Sequence, residues 1–364
     1  MKRITLVLLS LVLLSVLAGC TGGQFVASSG WSGVAIGSDL VYVGARSGRM
    51  LALNTSNGDQ RASFPQAGQD PLSGLYGTPA LTNGLLYVPG YDGRIYALDA
   101  ANLSQKWRYP SDETKVKPVV GGVVVADGLV VYGGEDGYVR ALQASNGGKV
   151  WEFKTGNKVW STPTVAGGVV YIGSLDHKLY ALDLRKGTSV WTKPFQADGA
   201  IVAMPLVLNG RVYIGSFDRR VYAVDAGTGQ SVWSFQGTAW FWGGLVTDGK
   251  RLFAVDTRGV VRALDMATGQ QVWQFDMQRQ AFSSPILVGG NLVVTSDGGI
   301  IYVLTPDTGS QVSSYNVGDK GVQAPLTTDG QVVYVNGMDK RVWAIRMGGG
   351  QQDKVWQVST EPGK

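Results

Sequence analysis

The sequence predicts an all-β fold, an eight-bladed β-propeller of four-stranded blades, and three observations lead to that prediction. A triplet similar to Tyr-Ala-Leu recurs eight times at intervals of 40 to 45 residues, and a fixed period of this length marks a repeat architecture. Each copy contains alternating or apolar runs separated by turns rich in Gly or Asp, the pattern of short strands. No helical periodicity follows residue 20. The small residue that aligns the copies is Ala52, Ala97, Ala141, Ala181, Ala223, Ala263, Val303 and Ala344.

The order of the strands can be taken from the fourth copy. The segment 161–165 leads into the innermost strand, 169–173 is the second strand and 178–183 the third, and Trp191 marks a fourth, outer run. Four strands in about 40 residues is one propeller blade, and eight blades close a ring.

In five of the eight copies a turn carries an acid five residues before the aligned position. Asp-Gly supplies the positive φ angles of a tight hairpin. Each acid belongs to a different blade, so we interpret the set as turn residues rather than as calcium ligands. We interpret His177, in one of these turns, in the same way, because it has no partners for a catalytic triad. The acids are Asp92, Asp136, Asp176, Asp218 and Asp339.

Composition excludes several classes of function. The chain has 364 residues, one Cys and one His, and a net charge of +5. A disulfide framework or a Cys/His metal site needs more of these residues. No run rich in Lys and Arg concentrates the positive charge, so we expect no nucleic-acid partner and no metal.

The first twenty residues predict a lipoprotein signal peptide. A short basic start precedes the apolar run 4–17, which is too short to span a bilayer, since a span takes ~20 residues, but fits an export signal. The run ends in Leu17-Ala18-Gly19-Cys20, which resembles the bacterial lipobox, in which the cysteine is lipidated and becomes the first mature residue. The alternative is an ordinary secretory peptide with a cysteine nearby.

The segments of the chain follow from these features. We expect a signal peptide over 1–20, a flexible tether over 21–30, the propeller over 31–358 and a tail over 359–364. A lipid on Cys20 would hold the protein in the cell envelope. This would be the periplasmic face of the outer membrane if the cell has one, and otherwise the extracytoplasmic face of the cell membrane.

A tryptophan stands ten residues after the aligned position in five copies, where an indole can bury a large area against the next blade. These residues are Trp107, Trp151, Trp191, Trp233 and Trp273. The string Ala-(Leu/Val)-Asp-x-x-Thr-Gly-Gln-x-Val-Trp at 223–233 and 263–273 resembles the tryptophan-docking repeat of the PQQ-like (quinoprotein-type) propellers. Ala62 and Ser313 replace the tryptophan in two copies, so we expect looser blade edges there.

The two ends of the repeat array predict how the ring closes. The first copy begins at its inner strand, near Trp31, and the last ends with the extra run 354–358. We expect Trp356 to be the docking residue of the last blade, displaced by two positions. Each blade would then be continuous in sequence, and no strand would be exchanged between the ends.

One register precedes the inner strand by a few residues and should encircle one mouth of the central channel. Its aromatic members are the candidate binding residues Trp31, Tyr76, Trp160, Trp242 and Phe282, and the others are Val120, Val202 and Gln323. Two interpretations stay open: the rings plug a tapering hole, or they form an aromatic funnel that takes a ligand.

The resemblance to known families gives expectations about function. The chain is similar to the quinoprotein dehydrogenases only in the docking repeat, and their cofactor site uses a disulfide of adjacent cysteines, so a PQQ-dependent dehydrogenase is the most distant alternative. We expect no enzyme activity, no catalytic residue and no cofactor.

The lipobox, the eight docking blades and the chain length together resemble the BamB family. This resemblance implies a non-catalytic scaffold, monomeric within a complex, with outer-membrane barrel-assembly proteins as partners. The mid-chain joins 155–159 and 196–200 are shorter than that family's partner-binding loop, so no partner residue is carried over. The other alternative is an envelope ligand-binding or sensor lipoprotein that uses the channel mouth.

Overall fold

The computed structural model describes residues 30–361 except Glu113, Asp319 and residues 349–350. Over these residues the chain forms eight antiparallel sheets of four strands and no helix, so the predicted propeller is confirmed. The strands of blades 1 to 4 are β1 (Val34–Ile36), β2 (Leu40–Gly44), β3 (Met50–Asn54), β4 (Gln60–Phe64), β5 (Ala80–Thr82), β6 (Leu85–Pro89), β7 (Ile95–Asp99), β8 (Gln105–Tyr109), β9 (Val124–Ala126), β10 (Leu129–Gly133), β11 (Tyr138–Gln143), β12 (Lys149–Lys154), β13 (Thr164–Ala166), β14 (Val169–Gly173), β15 (Lys178–Asp183) and β16 (Phe195–Gln196). Those of blades 5 to 8 are β17 (Leu206–Leu208), β18 (Arg211–Gly215), β19 (Arg220–Asp225), β20 (Ser231–Gln236), β21 (Val246–Thr247), β22 (Arg251–Val255), β23 (Val260–Asp265), β24 (Gln271–Asp276), β25 (Ile286–Val288), β26 (Asn291–Thr295), β27 (Ile300–Leu304), β28 (Gln311–Asn316), β29 (Thr327–Thr328), β30 (Val332–Asn336), β31 (Arg341–Gly348) and β32 (Gln351–Ser359).

Each blade is built from four consecutive strands, as expected from the two ends of the array. The first strands lie next to one another around the ring, and β1 contacts both β5 and β29. The ring therefore closes by packing of blade 1 on blade 8, without an exchanged strand.

Antiparallel order divides the connections between two faces of the propeller. The segments that lead into each first strand, and the turns between second and third strands, lie on one face, which we call the channel face. The turns between first and second strands, and between third and fourth strands, lie on the opposite face.

The hydrophobic core lies between blades rather than within them. One cluster joins Tyr171 and Trp191 of blade 4 to Ile214 and Val224 of blade 5, all of them buried. Single blades cannot bury such faces alone, so each blade depends on its neighbours.

The docking tryptophans all make the same contact with the next blade. Each indole Nε1 donates a hydrogen bond to a carbonyl in the turn between that blade's third and fourth strands. The pairs are Trp107–Ala144 (3.0 Å), Trp151–Leu184 (2.8 Å), Trp191–Ala226 (2.9 Å), Trp233–Met266 (3.1 Å), Trp273–Pro306 (2.8 Å) and Trp356–Thr55 (2.7 Å). A glycine three residues after each acceptor lies under the indole. At Gly229 (φ 75°), for example, a Cβ would come within 2.7 Å of the Trp191 ring.

The outer edge of blade 1 is well packed, although the missing tryptophan predicted a loose edge there. Leu103 of blade 2 stands where the other turns have glycine, with a φ of 57°. Its side chain is 1% exposed and packs in a cluster that Ala62 also joins. The leucine therefore fills the volume that an indole occupies elsewhere, and the Ala100 carbonyl accepts a hydrogen bond from the Tyr42 hydroxyl (2.8 Å). At the seventh blade edge, Met347 of blade 8 is buried against blade 7.

Two interruptions of the repeat have local causes. Trp356 pairs with Ala344, as Trp273 pairs with Ala263, because the longer hairpin between β31 and β32 adds two residues. In blade 4, Phe195 pairs with Leu179, and its counterpart Phe235 in blade 5 pairs with the equivalent Val221. Phe195 nevertheless stands two residues further along its repeat than Phe235 does, so the outer strand of blade 4 begins late. Pro194 has no N–H to donate to a ladder, and the outer strand of this blade is confined to Phe195–Gln196.

Residues just outside the predicted propeller segment 31–358 also contact it. Gly30, assigned to the tether, is buried, and Thr360, assigned to the tail, is 3% exposed and donates its Oγ1 proton to the Lys340 carbonyl (3.0 Å). The predicted signal peptide, Cys20 and residues 21–29 lie outside the described residues, as do 362–364. Within the described ranges, no helix is long and apolar enough to cross a membrane.

Candidate functional site at the mouth of the central channel

All eight residues of the predicted mouth register line one cavity of about 360 Å³ at the centre of the channel face. They reach it because each stands just before the innermost strand of its blade, where the chain turns toward the axis. The candidate binding residues Trp31, Tyr76, Trp160, Trp242 and Phe282 are therefore brought together in space. Whether they bind a ligand stays a prediction.

On one side of the mouth, three rings from blades 1 and 2 form a cluster. The centroids of Trp31 and Tyr76 are 4.6 Å apart in an edge-on arrangement, and those of Tyr76 and Tyr91 are 4.8 Å apart. Burial, and to a smaller extent the Glu135 carboxylate, raises the pKa of Tyr91. This phenol therefore stays neutral at physiological pH.

On the other side, rings from blades 5 and 6 stack. The Phe217 ring stacks with Trp240 (centroids 5.0 Å apart, 15° between planes) and with Trp242 (5.6 Å, 22°). Trp242 also meets Phe282 edge-on at 6.3 Å. Trp240 is 52% exposed, so about half of this residue is open to solvent. We call Phe217, Trp240 and Trp242 the aromatic shelf.

Trp160 is held by a polar contact as well as by packing. Its Nε1 donates to Glu135 Oε1 (2.9 Å), and Lys158 Nζ lies 3.1 Å from the other carboxylate oxygen of Glu135. The acid is therefore satisfied by an indole and an ammonium group, and it orients the Trp160 ring at the edge of the mouth.

Tyr91, Glu135 and Phe217 were missed by sequence reasoning. All three stand six residues before the aligned position, in the turn between second and third strands. The structure places that turn beside the mouth. The sequence does carry a signal for them, because this position recurs in every repeat and lies on the same face as the mouth register. The residue types at this position differ from blade to blade, so the recurrence was not recognised.

Below the aromatic layer the wall consists of small residues and hydroxyl groups. The Thr162 Oγ1 accepts a hydrogen bond from the Gly122 amide (2.8 Å), and the Ser284 Oγ accepts one from the Gly244 amide (2.7 Å). A Cβ at Gly77 would lie 2.1 Å from the Gly121 carbonyl oxygen. The segments that lead into the first strands of neighbouring blades thus approach closely, with side-chain hydroxyls joining them.

The cavity lining contains aromatic, aliphatic, hydroxyl, amide and glycine residues, and none of its lining residues carries a charge. Such a wall can stack on the apolar face of a ring and hydrogen-bond a neutral polar group. It offers no countercharge to an anionic ligand. Among the described residues, no group of His, Cys, Asp and Glu side chains is arranged to hold a metal ion.

Three of the turn acids accept hydrogen bonds from tyrosines of their own blades. The Tyr96, Tyr180 and Tyr222 hydroxyls donate to Asp92, Asp176 and Asp218 at 2.5, 2.5 and 2.7 Å. Burial and these hydrogen bonds to carboxylates raise the pKa of each tyrosine.

His177 has a φ of 70° in one of these turns, where other blades have Gly93 and Gly137. Its amide donates to the Ser174 carbonyl (3.2 Å). These contacts describe a backbone role for His177, as its interpretation as a turn residue expects.

One ion pair on the channel face is buried. Arg262 Nη1 lies 2.7 Å from Asp256 Oδ2, with the two side chains 3% and 0% exposed, and the Thr238 hydroxyl donates to the same oxygen (2.6 Å). Burial alone raises the pKa of Asp256, but the hydrogen bonds from Thr238 and Arg262 outweigh it and hold the pKa below its usual range.

Comparisons with known proteins agree with this architecture. The profile of a PQQ-repeat family described as "Outer membrane protein assembly factor BamB" matches residues 21–152, 135–257 and 257–364. No protein of curated function matches the chain.

Two solved structures share the fold. The crystal structure of BamB from Moraxella catarrhalis has a TM-score of 0.72 and 19% identity, over 85% of this chain and 94% of that one. The crystal structure of the computationally designed Ika8 protein has a TM-score of 0.76 and 17% identity, over 88% of this chain and 97% of that one. At such identities the two structures support the fold alone. The family profile, in contrast, covers almost the whole chain, and the chain therefore belongs to the family of the outer membrane protein assembly factor BamB.

Proposed function

We propose that this protein is a non-catalytic scaffold of outer-membrane β-barrel assembly, held at the periplasmic face of the outer membrane by a lipid on Cys20. The observation that carries the proposal is the family match, which begins at residue 21 and continues through all eight blades. The match starts one residue after Cys20, which would be the first residue of a lipidated mature chain.

The channel mouth supports the non-catalytic part of the proposal. Quinoprotein catalysis needs a bound quinone that the protein orients, and pyrroloquinoline quinone is a tricarboxylate. Burying carboxylates without cationic partners is costly, and the lining of this cavity contains no Lys or Arg. The residues present therefore do not fit that cofactor.

The rim of the propeller offers a surface for protein partners. The fourth strand of each blade has one edge without a strand partner, and such edges can accept an extended segment of another chain. β20 and β28 contain no charged residue that would oppose this pairing. One register of the rim exposes valines in five successive blades: Val150, Val190, Val232, Val272 and Val312, each 42 to 53% exposed.

The test is affinity capture of the full chain from detergent-solubilised membranes of the source cells, with identification of the proteins recovered. We expect the barrel-assembly subunits to be recovered with the wild-type chain. We expect less of them with a Val232→Lys/Val312→Lys variant, because two charges then occupy the open edges. Ser38→Lys, which adds a charge to an exposed turn of the opposite face, serves as the control. Capture of the chain without these subunits would contradict the proposal.

A second candidate function, an envelope ligand-binding or sensor lipoprotein, is favoured by the uncharged aromatic cavity. Ligand binding to the folded state alone raises Tm. A Tm rise with neutral oligosaccharides that disappears in Trp160→Ala and Trp242→Ala variants would support it. No Tm change with any of these probes would leave the scaffold as the better account.

A further inference from the structure

The described chain begins near the axis of the propeller, on the channel face. Trp31 lines the mouth, and Gly30 packs so closely on Leu75 that a Cβ there would lie 1.7 Å from the Leu75 carbonyl oxygen. Nine residues, 21–29, separate Gly30 from Cys20. Even fully extended, this segment reaches at most about 35 Å.

The dimensions of the fold decide which face a lipid on Cys20 can bring to the membrane. Three strand spacings and the outer side chains put the rim about 15–20 Å from the inner strand. Strands of five or six residues make the propeller about 17–20 Å thick. A path from the mouth over the rim to the opposite face is thus about 35 Å long. Residues 21–29 would have to be fully extended for a lipid on Cys20 to reach that face. A membrane on the channel face needs no such path.

The aromatic shelf lies on that same face. Trp240 belongs to the connection between β20 and β21, and its carbonyl accepts a hydrogen bond from the Thr257 amide (2.8 Å). Its indole is half exposed although it is stacked on Phe217, and Met204, which lines the mouth nearby, is 47% exposed. Indole rings with one apolar face and one N–H are typical of the interface between lipid and water.

We propose that the channel face lies against the membrane and that the aromatic shelf, with Trp240 outermost, contacts the lipid surface. The proposal rests on the proposed lipid anchor at Cys20. It leaves the blade rims and the opposite face directed away from the bilayer, where they are open to protein partners.

The test uses the lipidated full chain in vesicles of phosphatidylethanolamine and phosphatidylglycerol. The chain has one cysteine, so after lipidation a single introduced cysteine can be labelled selectively. Arg258→Cys places a polarity-sensitive fluorophore in the β22–β23 turn of the channel face. Lys250→Cys places it at the other end of β22, on the opposite face. Both native residues are exposed turn cations, which matches the pair in charge and setting.

We expect lipids with a nitroxide near the headgroup to quench the fluorophore at 258 at least threefold more than the one at 250. Trp240→Ser in the Arg258→Cys background should reduce this quenching by about half. Val272→Ser, which removes an equally exposed apolar side chain at the rim, should leave it unchanged.

Three results would overturn the proposal. If the protein floats with the vesicles but the two sites are quenched equally, the anchor stands and the orientation is wrong. Shielding at 258 that appears only when barrel-assembly proteins are added would make the channel face a protein interface instead. A protein that fails to float contradicts the lipid anchor itself, and the orientation with it.

Discussion

Six tryptophans join neighbouring blades, and each one combines an indole stacked over a glycine with a hydrogen bond to a carbonyl. The indole donor occupies the same position in each repeat that has it, and so does the carbonyl acceptor in the next repeat. The hydroxyl of a second-strand tyrosine can reach the same carbonyl: Tyr171 and Trp191 both donate to Ala226 (3.2 and 2.9 Å). Tyr87 and Tyr213 make the same contact beside Trp107 and Trp233, so three of the six docking contacts are small networks rather than single hydrogen bonds.

Truncation of a docking ring should be strongly destabilising. Trp191 is 3% exposed, and we expect Trp191→Ala to lower the free energy of unfolding by about 3–5 kcal/mol, because it removes a buried aromatic ring and leaves a cavity. Urea unfolding followed by circular dichroism measures the change. Trp240→Ala, in which the ring is half exposed, should cost less than half as much. Equal costs would contradict the docking account.

The glycine under each ring should tolerate substitution less well than a turn glycine with open space around it. Gly229 and Gly210 have similar φ angles, 75° and 71°, but a Cβ at Gly210 would meet nothing within 4 Å. Gly210→Ala should therefore cost only the backbone strain, about 1–2 kcal/mol. Gly229→Ala should cost more, because its methyl group also meets the Trp191 indole. Urea midpoints that fall by equal amounts would mean that the contact with the indole adds nothing.

The buried ion pair of Asp256 and Arg262 should make the free energy of unfolding depend on pH. The folded-state pKa of Asp256 is lowered, so its contribution is present above the unfolded value of about 3.9 and is lost as pH falls through the folded value. Asp256→Asn should therefore destabilise most at neutral pH. The difference from wild type should narrow below about pH 4. Unfolding curves from pH 7 to pH 2 test this, with the exposed Asp39→Asn as the control, and a constant difference would be the contrary result.

At the scale of the element, blade edges keep one geometry while their residues change. The first edge lacks the tryptophan and the glycine together, and Ala62 faces Leu103 there. A larger residue on one side is compensated by a smaller one on the other, so packing at the edge is conserved in volume rather than in residue type.

This exchange can be tested by a double-mutant cycle. Ala62→Trp alone should destabilise, because the indole has no room beside Leu103, and Leu103→Gly alone should destabilise by opening a cavity. The double variant should recover part of both losses, with a coupling free energy above about 1 kcal/mol. If the changes in unfolding free energy of the two single variants simply add in the double variant, the two side chains do not compensate for each other's size.

At the scale of the whole molecule, the repeat was sufficient to predict the number of blades, the strand order and the closure by Trp356. Each of these follows from a register that recurs, and recurrence is visible in one sequence. The same reasoning placed eight residues of different blades around one mouth, where the structure finds them.

The remaining features depend on contacts between registers, which spacing alone does not reveal. Phe217 reaches Trp240 only because a turn of blade 5 lies beside the connection into blade 6. Leu103 could not be assigned to the vacant indole site without knowing that its turn meets the edge of blade 1. The broken outer strand of blade 4 was visible only as Pro194, in the copy that otherwise preserves the repeat best.

We propose that the propeller serves barrel assembly through its surfaces and not through chemistry in its channel. The most direct measurement is the amount of folded, heat-modifiable outer-membrane β-barrel protein in source cells that lack this chain. We predict a severalfold decrease that is restored by the wild-type chain and equally by a Trp160→Ala/Trp242→Ala variant. An unchanged amount of folded barrel protein in cells without the chain would contradict the account.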